Sequence, residues 1–174
     1  MVYYIGDTHF GDNRVMKLAD RPYSSAAEMD NDMIRKWNLR VKAGDTVYVL
    51  GDFAFDDASA RVIEKLQGRK VLLLGNHDEV LTLATLRKFD CVKTIDTVND
   101  CKRSVCLCHY PLLSYNNSVY GGYHVFGHIH NNPNDKAFYL QRQLPNSFNC
   151  GADVVGFTPR TLDELIAFRK EGKI

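Results

Sequence analysis

Five of the six histidines in the chain close apolar runs, each with polar, ligand-type neighbours. Asp7-Thr8-His9 follows residues 2–5, Gly51-Asp52 follows 46–50 and Gly75-Asn76-His77-Asp78 follows 71–74. His109 follows residues 104–108, and Gly127-His128-Ile129-His130 follows 124–126. An Asn supplies a neutral oxygen, a His a nitrogen that ligates or carries a proton, and an Asp an acceptor that can orient an imidazole. Carboxylates and imidazoles gathered at one point hold a transition-metal cation. Residues two apart on an extended segment project to one side, so Asp7 and His9 reach a common point. His128 and His130 do the same, with Ile129 turned into the core. Taken singly, each motif also suits a turn, a capping Asp or a surface His. Random placement would scatter the histidines rather than set five of them at run ends.

The elements that must position these residues follow from the same pattern. Apolar runs bounded by glycine read as buried strands, and open α/β sheets bind ligands at the carboxyl ends of their strands. Strands are expected over residues 2–5, 46–50, 71–74, 91–95, 98–100, 104–108 and 124–126, with a late antiparallel pair over 138–143 and 147–151. Residues 10–24 read as a loop with a short helix. Ser25-x-x-Glu28 and Thr161-x-x-Glu164 are capping boxes that open helices, the first with Met29, Met33, Ile34 and Trp37 as its core face. Asp56 and Asp57 can cap a helix through Val62, Ile63 and Leu66 to Gly68, and another helix is expected over 80–88. His124 lies inside its strand and reads as structural.

With 174 residues, 45% of them hydrophobic, the chain suits a single domain over 1–174 with a sizeable core. A net charge of +1 gives no broad attraction to nucleic acid or an anionic membrane. No apolar run approaches the roughly 20 residues that span a bilayer. The N-terminus lacks the pattern of a signal peptide, and five cysteines without an export signal read as reduced cytoplasmic thiols. Cys106 and Cys108 do not make a CxxC pair, which disfavours a zinc knuckle.

The ordered series Asp7-x-His9, Gly51-Asp52, Gly75-Asn76-His77-Asp78, His109 and Gly127-His128-x-His130 resembles the calcineurin-like metallophosphoesterases, most closely their small cap-less bacterial or phage-type members. The resemblance implies an α/β four-layer α-β-β-α sandwich of two mixed sheets flanked by helices. It implies two metal ions sharing Asp52, the first completed by Asp7, His9 and His130, the second by Asn76, His109 and His128. His77 would act on the leaving oxygen of a phosphoester attacked by a metal-bridging hydroxide. Asp78 would join it as a catalytic residue, by orienting His77 or by holding the loop. Neutral ligands leave net positive charge for an anionic phosphate, and the mixed nitrogen and oxygen set suits Mn²⁺ first, with Fe, Zn²⁺ or Ni²⁺ as alternatives. The phosphate-gripping Arg of phosphoprotein phosphatases is missing, since Gly51-Asp52 continues as Phe53-Ala54-Phe55-Asp56. Substrate contacts are expected from Arg14, with Arg21 second, and from Asn13 and Tyr110. The expected activity is hydrolysis of a small, soluble phosphodiester, with nucleotide-derived esters as candidates. Phosphomonoester hydrolysis, a non-catalytic metal-binding scaffold and a nuclease acting on long nucleic acid are the alternatives, the last calling for a basic surface path that the balanced charge does not supply. Specificity is expected in the loops at about residues 10–24, 111–122 and 131–146.

Overall fold

The computed structural model describes residues 1–172. Two four-stranded sheets lie between helices in the four-layer arrangement. The first contains β1 (Val2–Ile5), β2 (Thr46–Val49), β3 (Arg69–Leu73) and β4 (Cys91–Lys93), in that spatial order. All its pairings are parallel, so only the second sheet is mixed. There β5 (Ile95–Asp100) and β6 (Arg103–Cys108) form an antiparallel hairpin across Cys101 and Lys102. The strands β7 (Tyr123–Phe126) and β8 (Ser147–Asn149) then add in parallel. The sheets meet where the chain after β1 pairs with the chain after β8: Gly6 N–H donates to Cys150 O at 2.9 Å, and Ala152 N–H to Gly6 O at 2.8 Å. One continuous apolar cluster draws on both sheets, from Tyr4, Val49 and Leu72 to Leu107, Val125 and Phe148.

Among the helices are α1 (Val15–Leu18), α2 (Ala26–Arg40), α3 (Leu83–Leu86), α4 (Lys136–Gln143) and α5 (Leu162–Lys170). The α2 helix buries Met29, Met33 and Trp37, the face its periodicity predicts. Its cap is offset from the expected box. Ser25 accepts from Glu28 N–H, while the Glu28 carboxylate accepts from Ser24 rather than Ser25. At α5 the box closes in both directions between Thr161 and Glu164.

Three expectations need correction. The segment after β2 winds as a 3-10 helix over Ser59–Lys65; Asp56 accepts from Ser59 N–H at 2.7 Å, and Asp57 leaves to bind Thr82. The helix expected over 80–88 breaks into a 3-10 turn at Asp78–Val80 and α3, which Thr82 caps. Residues 138–143 belong to α4 instead of a strand, and β8 pairs with β7 instead. Phe138-Tyr139-Leu140 imitates a short strand, but the flanking Lys, Ala, Gln and Arg favour helix. Asp135 starts it by accepting from Ala137 N–H at 2.7 Å.

Candidate metal centre

Loops after five strands (β1, β2, β3, β6 and β7) converge at the junction of the two sheets. The backbone does this through left-handed turns. Asp7 (φ 51°), His9 (49°), Asp52 (52°), His128 (71°) and His130 (49°) all hold positive φ. Such a conformation costs about 1–2 kcal/mol per residue, although Asp and His tolerate it better than most. This corrects the extended geometry expected for Asp-x-His and His-x-His. The left-handed turns send His128 and His130 to different groups, with Ile129 buried between them.

Asp7, His9 and His130 form one group of donor atoms, and Asp52, His109 and His128 another; within each, all donors lie within 4.8 Å of one another. The Asp52 carboxylate reaches both. Its Oδ2 is 3.8 Å from His9 Nε2 and 3.5 Å from His109 Nε2. Asn76 joins the second group, with Oδ1 3.1 Å from His109 Nε2. Two glycines make the approach possible. A Cβ on Gly51, itself at φ +79°, would lie 2.5 Å from His109 Nδ1, and one on Gly127 2.5 Å from Asp7 Oδ2.

The donors fit metal ions on two observations. The buried His9 Nε2 has no hydrogen-bond partner among the described residues. Burial and the Arg21 charge hold the His9 imidazole down to about 3, so it offers a lone pair. At His109, Nδ1 contacts Leu50 O at 2.7 Å; with the proton there, the Nε2 lone pair faces the oxygens of Asn76 and Asp52. Acceptors facing acceptors in a buried site call for a cation. Asp7 tells the same story: it is fully buried, which pushes its carboxyl up to about 6, and it accepts His128 N–H at 2.9 Å. Burial likewise lowers His128.

His77 lies outside both groups, exposed at the rim, with its ring 5.6 Å from that of His9. Its backbone N–H donates to Asp52 Oδ1 at 2.9 Å. Of the two roles expected for Asp78, the contacts present are those that hold the loop. Its buried carboxylate accepts the N–H groups of Asp52 (2.9 Å), Phe53 (2.9 Å) and Gly75 (2.8 Å), locking the loops after β2 and β3 together. Burial raises its pKa, against the pull of those donors.

Of the expected substrate contacts, only Tyr110 abuts the centre, its ring 4.7 Å from that of His128. The Arg14 guanidinium is paired with Asp12 at 3.0 and 3.1 Å and lies 4.5 Å over Phe55. Asn13 Oδ1 accepts from Ala26 N–H at the start of α2. Arg21 is buried and clamps the Asp7 and Thr8 carbonyls at 2.6 and 3.0 Å. These three side chains are occupied by structure.

Asp153, which carries no motif, supports the first group. It accepts from His130 Nδ1, from Arg21 and from Asn131 N–H, each at 3.0 Å. Burial opposes its ionisation, yet the bond from His130 and the His130 and Arg21 charges hold its carboxyl at about 2. In return Asp153 and Asp7 lift His130 above its ordinary value despite burial. With Nδ1–H committed to Asp153, His130 presents Nε2 to the group. Asn149 adds a bond from Nδ2 to His130 O at 2.8 Å.

This architecture is the fold of the calcineurin-like metallophosphoesterases. No protein-family model matches the chain. The chain is 29% identical over 177 residues to the uncharacterised protein MJ1445 of Methanocaldococcus jannaschii, covering 99% of this chain and 93% of that one. Among solved structures it is similar to a protein of unknown function, AQ665, from Aquifex aeolicus, with TM-score 0.76, 22% identity and coverage of 97% and 98% of the two chains. It is also similar to the nuclease MPE of Pseudomonas putida, with TM-score 0.50, 17% identity and coverage of 74% of this chain and 61% of that one. At these identities the likeness is one of fold.

Proposed function

We propose that the protein is a dinuclear-metal-dependent phosphodiesterase acting on small diesters. The observation that carries this reading is the pair of donor groups joined at Asp52, with lone pairs of His9 and His109 aimed into them. Two divalent ions, Mn²⁺ first among them, would supply Lewis-acid charge to a phosphoryl group and acidify water to a nucleophile at neutral pH. Asp7, His9 and His130 would hold one ion, Asn76, His109 and His128 the other, with Asp52 between them. The chain's own residues supply the rest. Only two carboxylates stand in the ligand set, so neutral Asn76 and four imidazoles preserve attraction for an anionic phosphate. His77, free of both groups and close to them, is placed to give a proton to the leaving oxygen.

The diester is favoured because no free guanidinium reaches the centre. Arg14 is paired with Asp12, and Arg21 with backbone carbonyls and Asp153, so neither adds a guanidinium contact for the extra charge of a monoester dianion. Among the described residues no helix is long and apolar enough to cross a membrane. The five free cysteines accord with a reducing, cytoplasmic setting. The test is hydrolysis of bis-p-nitrophenyl phosphate against p-nitrophenyl phosphate by stripped protein with and without Mn²⁺. Metal-dependent cleavage favouring the diester is expected. A monoester preference would overturn the substrate class. Two bound ions without cleavage of either would favour a non-catalytic scaffold.

A further inference from the structure

An open aromatic ring lies directly against the second donor group. Tyr110 follows the candidate ligand His109 and is 42% exposed, whereas His109 is fully buried and His128 half-buried. Its ring meets both imidazoles edge to face, 5.0 Å and 74° from His109 and 4.7 Å and 64° from His128. Among the described residues it is the one Phe, Tyr or Trp ring in contact with a member of either donor group, and its hydroxyl makes no hydrogen bond. The main chain is fixed on both sides of it. His109 Nδ1 contacts Leu50 O at 2.7 Å, Leu112 N–H donates to His124 Nε2 at 3.0 Å, and Pro111 restricts the Tyr110 backbone between them. The ring is therefore offered to solvent from a rigid frame.

We infer that Tyr110 selects the organic arm that stays on phosphorus after cleavage, and that this arm carries a flat aromatic or heteroaromatic ring. The inference rests on the reading of the centre as a phosphodiesterase. A diester loses one arm and keeps the other. His77 lies against His9 of the first group, so the leaving arm is served from that flank. In an in-line displacement the retained ester oxygen lies off the axis through the attacking and leaving oxygens, so its arm needs a different wall. Tyr110, against His109 and His128, supplies that wall at the other group. A flat ring gains from stacked or edge-to-face contact with Tyr110 beyond the area it buries, whereas an alkyl arm gains from area alone.

The experiment titrates the full chain, loaded with Mn²⁺, with diphenyl phosphate and with dimethyl phosphate in a calorimeter. The two esters carry the same single charge, differ only in their arms and lack an activated leaving group. Diphenyl phosphate is expected to bind about three- to tenfold more tightly. Tyr110→Ala should close that gap, and Tyr110→Phe, which keeps the ring, should preserve it. Equal affinities in the parent, no binding of either ester, a gap that survives Tyr110→Ala or one that is lost in Tyr110→Phe would overturn the inference. So would a Tyr110→Ala variant that weakens both esters alike, the result expected of a ring that only holds the histidines in place. Metal-dependent cleavage of bis-p-nitrophenyl phosphate, measured on the same preparation, separates the two readings. Cleavage without the gap removes the arm contact and keeps the hydrolase. The gap without cleavage keeps the arm contact and removes the hydrolase.

Discussion

Replacing Asp153 by Asn tests the support of the first metal group with a change of one atom. The Asp153 carboxylate is 4% exposed, and the Arg21 side chain it neutralises is wholly buried. Its Oδ1 accepts from both Arg21 and His130, and Oδ2 from Asn131 N–H. An Asn can keep its carbonyl oxygen on the first two, but its amino group then confronts the Asn131 N–H as donor against donor. The larger loss is charge, because the buried Arg21 guanidinium keeps only neutral partners: the Asn oxygen, the carbonyls of Asp7 and Thr8, and Met29 Sδ. Removing one partner of a buried ion pair costs about 3–5 kcal/mol, and loss of the carboxylate behind a ligating His costs about 10–100-fold in metal affinity. Urea unfolding of the metal-free protein reads the first figure, and calorimetric titration with Mn²⁺ the second. One of the two binding events should weaken, while the event assigned to Asp52, Asn76, His109 and His128 is spared. If Asp153→Asn unfolds within about 1 kcal/mol of the parent and binds both ions as tightly, the Arg21–Asp153–His130 chain is not what holds the site.

Three further predictions concern other parts of the centre and its frame. Asp78→Asn should lose about 3 kcal/mol of stability, since a buried carboxylate shared by three N–H groups becomes an amide that can satisfy only some of them; full parental stability by urea unfolding would contradict it. Asn76→Asp should keep both ions yet lower turnover of the diester, because the added negative charge cancels attraction for phosphate; unchanged turnover with both ions counted by elemental analysis would sink that account. His124 should stay neutral well below the usual imidazole range. Its Nε2 accepts from Leu112 N–H at 3.0 Å, Nδ1 contacts Cys106 O at 3.1 Å, and burial lowers its pKa to about 4. A lowered imidazole pKa means the unfolded chain binds the proton first. About 3 kcal/mol of stability, complete above pH 6.5, should therefore drain away as pH falls towards about 4. A His124 ring resonance in the folded protein that titrates near pH 6.5 would refute this.

The residues gathered at the candidate centre were legible because each ends an apolar run, where polarity changes within a residue or two. Strand β1 and the Thr161–Glu164 box were readable for the same reason, as local chemistry decides them. Asp153 was not legible. Its partner Arg21 lies 132 positions away, and no local pattern distinguishes it from a surface carboxylate. Asn13 and Arg14 sit beside the first motif in sequence, yet Asn13 Oδ1 accepts from Ala26 N–H and the Arg14 guanidinium pairs with Asp12. The α4 segment defeated the pattern because three adjacent bulky apolar residues fit either period. The separation of His128 from His130 depends on left-handed backbone, which residue spacing alone does not reveal.

The left-handed turns also bound which chemistries this scaffold can be altered to perform. At positions 7, 9, 52, 128 and 130 the backbone admits Asp, Asn, His or Gly with little penalty and resists Glu, Cys and β-branched residues. Exchanging these ligands for thiolates, to draw in a softer metal, would set the new side chain against its own main chain. Asn76 and His109 lack positive φ. They are the two places in the candidate donor set where the backbone conformation sets no such limit on donor type, although His109 is held by close packing against Gly51.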